Sequence, residues 1–116
     1  MSVTLTIGNS AEVRDCYFSD EDHGADSQDS DLDMGGGAKF VRSVWLCGDE
    51  DSTITMIAGA LVDESPWFKI AGDLLMTGSR ARIRDSRMSL FGDIVMSGDS
   101  TAIIDTYIAV VQEGED

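Results

Sequence analysis

Residues 70–89, IAGDLLMTGSRARIRDSRMS, and residues 90–109, LFGDIVMSGDSTAIIDTYIA, follow one another without a gap and are alike. Six of twenty positions are identical: Gly72/Gly92, Asp73/Asp93, Met76/Met96, Gly78/Gly98, Ile83/Ile103 and Asp85/Asp105. Self-similarity at a fixed period of roughly 20–50 residues is the signature of solenoids, propellers and arrays. Such units bury their apolar faces only against one another.

Working outward, residues 5–19, LTIGNSAEVRDCYFS, match residues 75–89 at an offset of 70, sharing Leu5, Gly8, Ala11, Arg14, Asp15 and Ser19 with their counterparts. Val41-Arg42-Ser43-Val44 echoes Val13-Arg14-Asp15-Cys16. The run from Ile54 to Asp73 echoes that from Leu74 to Asp93. Five units result, starting near Ser2, Asp31, Gly48, Gly72 and Gly92. Within a unit, short β-rich stretches such as Ile94-Val95-Met96, Ala102-Ile103-Ile104 and Tyr107-Ile108-Ala109-Val110 are separated by Gly, Asp and Ser. No apolar pattern of helical period runs through them, and Leu/Asn spacing of the leucine-rich kind is missing. Three short strands in each unit fit one coil of a parallel β-helix. The expected fold is therefore all-β: a short β-solenoid of about five coils of roughly 20 residues. An antiparallel β-sandwich is the alternative, because short alternating strands also build that fold.

Strings such as Val13-Arg14-Asp15-Cys16-Tyr17-Phe18 and Ile83-Arg84-Asp85-Ser86-Arg87-Met88 read as a strand, a tight bend and the next strand. In this the chain resembles the right-handed parallel β-helix superfamily. The Gly-Asp-Leu and Gly-Asp-Ile openings at 72–74 and 92–94 are similar to those of bactofilins, small β-helical polymer-forming proteins. The resemblance implies a structural, self-assembling role.

The 116 residues make one domain's worth of chain, and the solenoid is expected to span 1–116 with one insertion. The charge is lopsided, 22 acids against 8 bases for a net −14, which disfavours nucleic acid and anionic membrane as partners. Residues 20–33, DEDHGADSQDSDLD, hold seven acids and no Lys or Arg. With Gly35, Gly36 and Gly37 they read as an acidic, glycine-ended insertion over 20–37. The remaining acidity and the scarcity of Lys resemble proteins of high-salt environments, where screening removes self-repulsion. Stability is then expected to rise with NaCl. The opening MSVTLTIGNS lacks a basic n-region and an apolar h-region, so no signal peptide is expected. No apolar run approaches the roughly 20 residues of a membrane span.

Candidate sites are few. Cys16 and Cys47 form no CxxC, and His23 is the single histidine, which gives no support to zinc or a His-based triad. No cofactor is expected. Two arrangements invite Ca²⁺. Alternation from Ile83 points Asp85 inward at a bend with Asp105 above it, and stacked carboxylates need backbone N–H donors or a cation. Asp29, Asp31 and Asp33 resemble the opening of a Ca²⁺ loop, but Met34 occupies the turn-glycine position and Phe40 that of the bidentate Glu. Arg80, Arg82 and Arg84 form a basic stripe suited either to surface salt bridges or to docking on an acidic partner such as another copy's residues 20–33. Phe91 and Ile104 are apolar at outward positions and join that stripe as interface candidates. Trp45 and Trp67 read as core.

No nucleophile motif, phosphate loop or metal spacing appears, so the chain is expected to be non-enzymatic. An open solenoid end needs a cap or a partner, and no terminal helix is apparent. The expectation is a self-associating module, a trimer for preference, docking on a larger particle such as a virion as a capsid decoration or tail component. Its location is then virion or cytoplasm. A bactofilin-like filament subunit and a polysaccharide- or Ca²⁺-binding β-helix are the alternatives.

Overall fold

The computed structural model describes residues 2–19, 29–48 and 51–110. These form a parallel β-solenoid that winds through about four turns and lays down five rungs. Rung one holds β1 (Ser2–Ile7), β2 (Glu12–Arg14) and β3 (Tyr17–Ser19). Rung two holds β4 (Asp29–Met34), β5 (Lys39–Val41) and β6 (Val44–Leu46). Rung three holds β7 (Thr53–Met56), β8 (Leu61–Asp63) and β9 (Trp67–Ile70). Rung four holds β10 (Asp73–Met76), β11 (Arg82–Arg84) and β12 (Arg87–Leu90), and rung five β13 (Asp93–Met96), β14 (Ala102–Ile104) and β15 (Tyr107–Val110). The first, second and third strands of the rungs build three separate five-stranded sheets, in which every pairing is parallel. The antiparallel sandwich is thereby excluded.

The register is that of the repeat: Asp73 pairs with Asp93, Met76 with Met96, Ile83 with Ile103. Like side chains consequently stack in columns through the core. Leu32, Ile54 and Leu74 form one, and Met34, Met56 and Met76 another; Phe40, Val62 and Ile83 fill the second sheet, and Trp45, Phe68 and Met88 the third. A small residue opens the second sheet in rungs two to four (Ala38, Ala60, Ala81), each fully buried where the chain turns inward. Aromatic rings pack together through rungs one to three, with Phe40 and Phe68 edge-on at 5.5 Å and Phe18 against Trp45 at 5.8 Å.

Three sequence boundaries shift. Residues 29–34, assigned to the insertion at 20–37, are β4, and Gly35–Gly37 make the next turn of the coil; residues 20–28 lie outside the described residues. The second unit accordingly starts at Asp29 rather than Asp31. The true partner of Val41 is Arg14, one place off the echo read between Val41 and Val13. The offset of 70 holds through the second and third sheets but puts Leu5 opposite Leu75, whereas Leu5 lies in the column of Leu32, Ile54 and Leu74. The cause is a turn of unequal length: residues 8–10 separate Ile7 from Ala11, while residues 77–80 separate Met76 from Ala81.

Two columns of left-handed backbone turn the corners. Ser10, Gly37, Gly59, Arg80 and Ser100 have φ of 61°, 70°, 75°, 64° and 59°, and Asp15, Arg42, Glu64, Asp85 and Asp105 have 57°, 46°, 53°, 50° and 49°. A left-handed residue costs about 1–2 kcal/mol in a non-glycine. It bends the chain between strands with a single residue, and the stacked ladders on both sides hold it there.

Candidate interaction surfaces

The second left-handed corner decides where the repeated acids point. A positive φ breaks the alternation of a strand, so Asp85 and Asp105 are exposed and the next residue, Ser86 in rung four, is buried. The inward placement of Asp85 expected from Ile83 is therefore wrong. The buried column at this corner is a hydroxyl ladder. Ser43 Oγ accepts the N–H of Cys16 at 3.0 Å and donates to the carbonyl of Val41 at 2.9 Å. Ser86 Oγ likewise accepts the N–H of Ser65 at 3.1 Å and donates to the Arg84 carbonyl at 2.8 Å. Each hydroxyl supplies a partner that the bent backbone cannot reach in the rung above, which is what a buried amide needs.

On the outside of the same corner, Arg42 lies between two acids of its column. It reaches Asp15 Oδ1 at 3.0 Å and Oδ2 at 3.3 Å, and Glu64 at 3.5 Å. The hydrogen bond from Arg42 holds the Asp15 carboxyl below its usual range, and Asp15 in turn raises the Arg42 guanidinium. Arg84 pairs with Asp63 at 3.2 Å, and that hydrogen bond raises the Arg84 guanidinium.

The calcium-loop reading meets a strand instead of a loop. Asp31 and Asp33 are outward positions of β4, while Leu32, Met34 and Phe40 are buried in the core. Asp31 Oδ1 accepts the N–H of Thr53 at 2.8 Å. Asp29 lies at the start of the same strand. Among the described residues no group of three or more acids, cysteines or histidines is placed to hold a metal ion.

The basic stripe is real in placement. Arg82 and Arg84 flank the inward Ile83 on the outer side of β11, and Arg80 is exposed in the preceding turn. Arg84 takes part in the ion pair with Asp63; among the described residues Arg80 and Arg82 make none. Ile104 stacks on Arg84 and is 39% exposed. Phe91 is half-buried with Lys69 Nζ 5.7 Å from its ring centre.

Among the described residues two apolar surfaces stand out, the fifth-rung end of the stack and one sheet face. Met34, Met56 and Met76 are buried, whereas Met96, next in their column, is 42% exposed. Ile94, Ile103 and Ile108 are only half-buried although the residues beneath them, Leu74, Ile83 and Met88, are enclosed. The second is the outer face of the third sheet. Trp45 is core as expected, but Trp67 points outward, as do Tyr17 and Tyr107. A shallow groove there is lined by Pro66, Trp67, Arg87, Ser89, Tyr107 and Ala109. Sequence reading missed this face because Tyr17, Trp67 and Tyr107 are 50 and 40 residues apart and meet in one column only once the register is known. Comparison with protein-family models, curated proteins and solved structures gives no match, so the fold and these surfaces define the protein as a parallel β-solenoid and no more.

Proposed function

We propose that the protein is a non-enzymatic assembly module, a self-associating β-solenoid that docks on a larger particle, with a virion surface or tail as the preferred setting. The supporting observation is the exposed fifth rung. Its inward residues carry the same apolar types as the rungs below, and its strands β13, β14 and β15 end their sheets with an edge that no other described residue pairs. Edges of that kind are covered in stable solenoids. The high acidity and the right-handed β-helix likeness suit a particle component in a salty medium, and a trimer closes such an assembly. A bactofilin-like filament is the second reading, favoured by one feature: columns that end in Met96 and Ile103 are shaped to continue into the first rung of another copy.

Solution mass by light scattering at low and molar NaCl tests both. A closed oligomer supports the first reading, open filaments by electron microscopy the second. Met96→Asp with Val110→Asp, both at exposed positions, should reduce either form to monomer. A wild-type chain that stays monomeric across concentration and salt removes the proposal.

A further inference from the structure

The outer face of the third sheet is the one outer sheet face among the described residues that carries no acid. Its outward positions alternate along β3, β6, β9, β12 and β15, and none holds Asp or Glu. The first sheet, by contrast, points Asp31, Asp33, Asp73 and Asp93 outward. One column of the third sheet reads Tyr17, Val44, Trp67, Arg87, Tyr107 from rung one to rung five. The aromatic members occupy rungs one, three and five, and they are 68%, 54% and 64% exposed. Rungs stack about 4.8 Å apart, so the rings recur about every 10 Å along a straight line. Between the last two, the Arg87 guanidinium is held 5.7 Å from the Tyr107 ring centre, and both border the groove with Trp67.

We propose that this face binds an extended, neutral, β-linked polysaccharide. In a β-1,4-linked chain of this kind successive sugars are flipped about the chain axis, so every second ring presents the same apolar face, at a repeat close to two rungs. That face lies on Trp67 and Tyr107, and Tyr17 continues the line. Arg87, an obligate multiple donor, bonds the hydroxyls of the sugar between them. The regular spacing favours a ligand with a translational repeat. The charge of −14 repels a nucleic-acid strand, which the same aromatic and basic residues would otherwise suit, and leaves a neutral sugar unaffected. A second copy is disfavoured, because a two-fold contact centred on the middle rung would set Lys69 against its own image. The site stands independently of assembly through the fifth rung.

Hexasaccharides of β-1,4-linked glucose and of β-1,4-linked N-acetylglucosamine are the probes, titrated into the full chain by calorimetry and by tryptophan emission, to which the outward Trp67 is accessible. Saturable binding of at least one, with an emission change, is expected. Trp67→Ala should weaken it about tenfold or more, the loss of one stacking platform, and Arg87→Gln should weaken it with the rings intact. Thr55→Ala, outward on the first sheet, should leave it unchanged. Circular dichroism and thermal melts verify that each variant is folded. Binding of neither probe by the folded wild type overturns the proposal, as does a folded Trp67→Ala chain that binds as wild type. A Trp67→Ala chain whose solution mass falls while wild type binds no sugar reassigns the face to contact between copies.

Discussion

Rungs four and five share one repeat pattern and lie in different surroundings. Ile83 is enclosed between Val62 and Ile103, while Ile103 has a neighbour in its column on one side only among the described residues. Met76 is fully buried and Met96 is not. A repeat sequence specifies the same inward side chain each time, but burial in a solenoid comes from the adjacent rung. The chemistry of a residue is thus set by its unit and its energetic weight by its place in the stack. The half-covered apolar fifth rung is the observation on which the proposed assembly role rests.

The contrast is broken or sharpened most strongly by truncating the same residue in both rungs. Ile83→Ala should cost about 2–5 kcal/mol, as for a fully enclosed aliphatic side chain. Ile103→Ala should cost well under half as much in the monomer, read from denaturant melts. A cost at Ile103 that grows with protein concentration would show that the fifth rung is covered by another copy. Equal costs at low concentration would mean that the two rungs are buried alike, against the comparison.

Turn glycines give the next largest effect. A Cβ on Gly78 would lie 2.0 Å from the backbone nitrogen of Ala58, whereas one on Gly8 meets nothing within 4 Å. Gly78→Ala should destabilise by about 1–3 kcal/mol through displaced backbone. Gly8→Ala should be neutral or stabilise by up to about 1 kcal/mol through the unfolded chain. Thermal melts of the two variants side by side check this.

The hydroxyl ladder comes third. Ser86→Ala leaves the buried N–H of Ser65 and the Arg84 carbonyl without that partner, a loss of about 1–3 kcal/mol. At the open end Thr106 donates to the Ile104 carbonyl in an exposed setting, and Thr106→Val should change stability by less than about 0.5 kcal/mol. Hydrogen exchange at Ser65 adds a local readout, expected to quicken in Ser86→Ala alone.

The smallest effect belongs to the exposed pair of Asp15 and Arg42. The folded pKa of Asp15 lies below its ordinary value of 3.8. Its contribution is therefore complete above that value and is lost as pH falls through the lower, folded one. Asp15→Asn should melt slightly below wild type at neutral pH, and the difference should vanish in strong acid and shrink in molar salt. A difference that persists in acid would assign the effect to the corner's backbone rather than to the charge.

The repeat itself was readable because period-20 identities at Gly72/Gly92, Met76/Met96 and Ile83/Ile103 survive without gaps. The early rungs were harder. The first turn there holds three residues against four in rung four, which puts Leu5 one place out, and the echo at Val41 matches Val13 by residue type although Phe40 fills that column. The Asp85 error has a different source. Alternation along a strand is a local rule, and it ends at a residue with φ near 50°, which no residue type announces when Asp15, Arg42 and Glu64 all occupy the same corner.

By itself, then, the order of residues determined that short strands recur and which apolar types they bury, since those follow from pattern and spacing. Only the stacked structure decided which side chains meet. Column membership depends on the summed length of every turn before it, and a one-residue difference exchanges inside for outside. Hence the aromatic line from Tyr17 through Trp67 to Tyr107, and the uncovered end at Met96, exist as surfaces of the folded stack and in no single segment of the chain.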